Sequence, residues 1–106
     1  MNRAVLFSSL AMFALAPTAS YAYSSCEEAP KKSPESSLAI TMTFHNVSTE
    51  TLKLDWVDFS GGLKNYGAVG PGETKTQPTF EGHVWQWTSP SSKCINRYVA
   101  GKQNVQ

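Results

Sequence analysis

Phe80-Glu-Gly-His-Val-Trp-Gln-Trp-Thr88 sets a histidine and two indoles two residues apart. In a strand, positions i, i+2 and i+4 share one face. His83, Trp85 and Trp87 would then stand side by side. Core packing, a metal site or one wall of a binding pocket would each account for such a row.

The same texture continues upstream. Leu38-Ala-Ile-Thr-Met-Thr-Phe44 alternates, with Ile40, Met42 and Phe44 on one face, and reads as a half-buried strand. Asn46-Val-Ser48 reads as a turn. Leu52 to Phe59 forms a second strand with Leu52, Leu54 and Trp56 on one face, and Gly61-Gly62 ends it. Gly70-Pro-Gly72 marks another turn. Glu73 to Thr79 is a polar strand at a sheet edge, because Pro78 cannot donate a ladder hydrogen bond. His83 to Thr88 follows, then a Ser89-Pro-Ser-Ser loop, then a short strand from Ile95 to Ala100. No stretch has a helical period and no segment repeats. Short strands punctuated by Gly and Pro predict an all-β fold, a β-sandwich of about six to seven short strands or a small barrel.

The chain of 106 residues opens with Asn2 and Arg3, an apolar run from Ala4 to Ala16, Pro17, and small residues at Ser20 and Ala22. This is the layout of a secretory signal peptide with cleavage after Ala22, or alternatively after Ala19. The apolar run is shorter than the roughly 20 residues a membrane-spanning helix needs, so no stable membrane anchor is expected. The expected organisation is a leader over 1–22, a polar arm over 23–37 rich in Ser, Glu, Lys and Pro, and a sandwich domain over 38–106. The destination is secreted or periplasmic. Loss of Arg3 with the leader leaves eight basic against eight acidic residues. That balance argues against nucleic acid, which requires a basic surplus, and gives no pull toward anionic membranes.

Cys26 and Cys94 are the two cysteines. An even count in an exported chain favours one disulfide, the alternative being two separate thiols. A bridge over so long a loop stabilises by about 4 kcal/mol in the chain-entropy description.

The residues offer little for catalysis or metal binding. His45 and His83 lie far apart and no zinc spacing exists, so no metal or other cofactor is expected. Asp55 and Asp58 fall on opposite strand faces, unlike a glycosidase carboxylate pair, and read as solvated residues. No nucleophile-elbow pattern is present. The chain reads as a non-enzyme. Asn46-Val-Ser48 also fits a glycosylation sequon, although the turn alone accounts for Asn46. Trp56, Tyr66, Trp85 and Trp87 remain, together with the hydrogen-bonding His83 and Thr79. Rings with a few fixed polar groups are the usual make-up of a small-group recognition site. Trp87 reads as core.

The stretch from Phe44 to Trp87 resembles the β domain of the von Hippel–Lindau tumour suppressor family. The matching marks are Phe44-x-Asn46-x-Ser48, Trp56-x-x-Phe59-x-Gly61, Tyr66, Pro71-Gly72 and Gly82-His83-x-Trp85, in register without a gap. The resemblance implies a sandwich that captures 4-hydroxyproline in an extended peptide. Trp56 and Tyr66 would be pocket walls and Trp85 the floor. His83 would be one partner of the hydroxyl. Thr79 stands where the family has serine, which keeps the hydroxyl and adds a methyl. The chain lacks the family's helical domain and stops before its final strand, so no ubiquitin-ligase adaptor is expected as a partner. The expected partner is an extended peptide or protein that contains hydroxyproline. A secreted carbohydrate-binding module, or a structural or inhibitor-like domain whose rings are only core, are the alternatives.

Overall fold

The computed structural model describes residues 20–22 and 26–101. Its strands, in chain order, are β1 (Ser20–Ala22), β2 (Ala39–His45), β3 (Leu52–Val57), β4 (Leu63–Val69), β5 (Thr74–Phe80), β6 (Val84–Thr88) and β7 (Cys94–Ala100). One sheet runs β1-β7-β6-β3-β4, and β2 pairs with β5 in a second; all pairings are antiparallel. The all-β fold expected from alternation is therefore present, and β5 is an edge strand in which Pro78 faces Thr41. Most of the expected leader lies outside the described residues, and its last three residues are β1.

The two sheets bury their alternating faces against each other. Met42 and Phe44 from β2 meet Leu52 and Leu54 from β3, Val69 from β4, and Trp85 and Trp87 from β6. Phe44 is the hub. Its ring stands 5.8 Å from Trp85, 5.7 Å from Trp87 and 6.3 Å from Tyr98, tilted or edge-on in each case. Such tilted pairs are the favoured arrangement of aromatic quadrupoles.

β6 departs from a half-buried strand: all five of its residues are buried. Trp85 and Trp87 face the core, so Val84, Gln86 and Thr88 face the other way. The polar arm lies against that outer side. Ala29 and Ser33 of the arm are buried, and the Arg97 guanidinium on β7 donates to the Pro30 carbonyl at 2.7 Å. The Cys26–Cys94 disulfide fastens the arm to β7. A segment without periodicity thus becomes a third layer.

Asp55 is a correction to its solvated reading. It is 5% exposed, and its carboxylate accepts hydrogen bonds from Thr88 Oγ1 at 2.6 Å and Asn65 Nδ2 at 3.0 Å. Gln86 donates to Thr88 and accepts from Arg97 Nε, both at 2.9 Å. A polar row therefore crosses the outer face of four strands, satisfied link by link, as burial of a carboxylate requires.

Asn46 serves the turn. It is 1% exposed, its amide donates to the Glu50 and Val69 carbonyls at 2.8 Å, and its Oδ1 accepts from the Ser48 backbone. Both amide hydrogens of the sequon asparagine are thus committed to the fold.

Candidate functional site

β3 delivers Trp56, β4 delivers Tyr66, β5 delivers Thr79, and β6 with the turn before it delivers Trp85 and His83. All five line one cavity of about 190 Å³ between the sheets. Phe59, Pro78 and Phe80 line it too. Sequence reading assigned none of these three to a site. Phe59 sat inside a matching motif, Phe80 opened the decisive stretch, and Pro78 was read only as an edge marker. The Phe59 and Phe80 rings could have been counted with the other aromatics, but nothing local said they would meet His83. Trp87 lies in the core behind this group, as expected.

The rings form a cage. Tyr66 stands edge-on to Trp85 with centroids 5.0 Å apart, and Trp56 stands edge-on to Phe59 at 5.1 Å. His83 is packed by Trp56 at 5.4 Å, Phe59 at 5.6 Å and Phe80 at 5.4 Å. No two of these neighbours are coplanar, so they do not present a flat platform.

Polar groups inside the cage are few and directed. Trp85 Nε1 donates to Thr79 Oγ1 at 2.9 Å. A hydroxyl that has accepted this bond still has its own hydrogen to donate. His83 Nε2 and Trp56 Nε1 are buried with no hydrogen-bond partner in the protein. Buried polar atoms are nearly always paired, so two orphans on residues of one cavity are unusual. A larger hollow of about 380 Å³ lies between β2, Trp87 and Tyr98, but neither orphan belongs to its lining. There Trp87 hydrogen-bonds the Tyr98 phenol.

Burial lowers the His83 pKa from its ordinary value near 6.5, against a smaller opposing effect of a hydrogen bond to the Pro34 backbone. The ring is neutral at neutral pH and can accept a hydrogen bond. A histidine pKa lowered by folding leaves stability complete above the unfolded value. That contribution is lost as pH falls from about 6.5 through the lowered folded value. The urea midpoint should therefore decrease between pH 7.5 and pH 5, and His83→Gln should flatten this dependence. An unchanged slope in the variant would show that His83 is not the responsible group.

Among the described residues, no three His, Cys, Asp or Glu side chains gather around a common point, and both cysteines are in the disulfide.

No curated protein matches this sequence. The family model of the VHL beta domain matches residues 31–96, which begins inside the arm and takes in every strand from β2 to the start of β7. With that match over more than half its length, on a two-sheet β fold with this cavity between the sheets, the chain belongs to the von Hippel–Lindau β-domain family.

Proposed function

We propose that the chain is a secreted, non-catalytic binding module that captures a hydroxyproline-like group within an extended peptide. The observation that carries this reading is the orphaned His83 Nε2 in a cage that also holds the Thr79 hydroxyl. A ligand hydroxyl would donate to Nε2 and accept from Thr79, whose orientation is set by Trp85. The rings would enclose the pyrrolidine. About 190 Å³ suits one small ring and is below the few hundred Å³ of pockets for drug-sized ligands. Sugar-binding modules stack their ligands on open, flat rings, and the tilted cage is poorly shaped for that. The disulfide is compatible with export, and the leader-like N-terminus points the same way.

The proposal is tested by NMR titration with a short extended peptide that contains 4-hydroxyproline. Resonances of Trp56, Tyr66, Thr79, His83 and Trp85 should shift together, and His83→Ala should remove most of the affinity gained from the hydroxyl. Shifts confined to the hollow beside Tyr98, or none at all, would refute it.

A further inference from the structure

The orphaned acceptor of the cavity is not held by its own strand alone. His83 lies one residue before β6, and the polar arm closes over this point from outside. Ser33 fastens the arm there. Its N–H donates to the Asp58 carbonyl at 3.2 Å, its hydroxyl donates to the Val57 carbonyl, and that hydroxyl accepts the Val84 N–H at 2.8 Å. Ser33 thus closes the open end of the β3–β6 ladder, where Val57 faces Val84. The next residue, Pro34, hydrogen-bonds the His83 ring through its backbone. The Pro34 ring also packs tightly on the turn: a Cβ on Gly82, whose φ is +87°, would come within 3.1 Å of it. Since His83 Nε2 has no partner, the Pro34 bond falls to Nδ1. A neutral imidazole with its proton on Nδ1 carries its lone pair on Nε2. The remaining ties lie upstream, at Pro30 through Arg97 and at Cys26 through the disulfide.

We propose that the disulfide-clamped arm is a positioning element for His83, with Ser33 and Pro34 as the contacts that fix its tautomer. Neither residue lines the cavity. Both act through the histidine, so ligand capture depends on a segment outside the site. The inference rests on the ligand reading only for its effect on affinity. Its effect on the ligand-free ring stands by itself. If the arm merely covered the outer sheet face, loosening it would lower stability and leave the imidazole unchanged.

Two perturbations separate these accounts. Ser33→Ala removes the clasp and keeps the bridge. A dithiol reductant opens the bridge and keeps Ser33: the disulfide takes up two electrons and two protons to give two thiols, and the dithiol closes to its cyclic disulfide. Imidazole ¹⁵N NMR of the ligand-free protein at pH 7.5 reads the tautomer, and near-UV circular dichroism reports the fold. The wild type should show the Nδ1–H form. Folded Ser33→Ala and folded reduced protein should both shift toward the Nε2–H form, and Ser33→Thr should restore the wild-type spectrum. Affinity for a hydroxyproline peptide should fall about tenfold in Ser33→Ala, the scale of one hydrogen bond. A wild-type tautomer in whichever perturbed forms remain folded would overturn the inference. If Ser33→Ala does not fold, the reduced wild type decides the matter by the same spectrum. Absence of peptide binding by the wild type would overturn the ligand reading alone.

Discussion

Trp85→Ala should lower the unfolding free energy by about 4 kcal/mol, the usual scale for truncating a buried tryptophan. Trp85 is 2% exposed and packs between Phe44 and Tyr66. In the ladder it stands between Trp56 on β3 and Tyr98 on β7. Alanine would leave a void where the two sheets meet, and rigid β-sheets close such voids poorly. The variant would also release the Thr79 hydroxyl from its Nε1 bond. Urea unfolding followed by far-UV circular dichroism measures the first effect. Trp85→Phe bears on the second, since it removes the N–H with a small part of the ring and keeps a six-membered aromatic ring in the core. That variant should cost about 1–2 kcal/mol. A loss below about 1 kcal/mol for Trp85→Ala would contradict the place given to this indole.

Replacing both Cys26 and Cys94 by serine should be comparably costly. The bridge spans a sequence separation of 68 residues, and the chain-entropy description gives about 4 kcal/mol for such a loop. That figure is an upper scale, because the denatured chain retains some structure of its own. For a domain of this size 4 kcal/mol corresponds to a fall in Tm of roughly 15 °C or more. Calorimetric melting of the oxidised wild type and the double variant provides the comparison. Equal melting temperatures would show that the arm is held without the bridge.

The strands with one buried face were legible because period two is written into them. Ile40, Met42 and Phe44 on β2 are such a set, and Leu52, Leu54 and Trp56 mark the core side of β3, whose other side, with Asp55 and Val57, is buried as well. β4 was not foreseen. It runs Leu-Lys-Asn-Tyr-Gly-Ala-Val, buries only Val69 fully, and pairs with β3 across a register shift between Lys53 and Asp55. An edge strand that packs so few side chains has little pattern to display. The arm was equally opaque. Its hold on the sheet uses backbone groups at Pro30, Ser33 and Pro34, the Ser33 hydroxyl and one disulfide, and none of these leaves a hydrophobic period. Asp55 was misread for a related reason. Alternation assigned it correctly to the outer face, but that face is covered.

The candidate site was legible by another route. Periodicity put His83, Trp85 and Trp87 on one face and could go no further. The grouping of Trp56, Tyr66 and Thr79 with His83 and Trp85 came from the family resemblance, since they are spread over four strands, β3 to β6, and the three connections between them. What neither source could supply was the hydrogen bonding. The Trp85–Thr79 bond and the unpartnered Nε2 of His83 depend on how the two sheets are set against each other.

Whether the cage reads a hydroxyl is the central question. A pair of extended peptides differing only in 4-hydroxyproline against proline, titrated calorimetrically into the wild-type protein at pH 7.5, answers it. His83 Nε2 is buried and unpaired in the free protein and stays so under the proline peptide, whereas the hydroxylated peptide pairs it, a difference of about 1–3 kcal/mol. The hydroxylated peptide should therefore bind roughly 5- to 150-fold more tightly. Equal affinity for the two peptides would contradict the account and leave the sugar-binding and purely structural readings in its place.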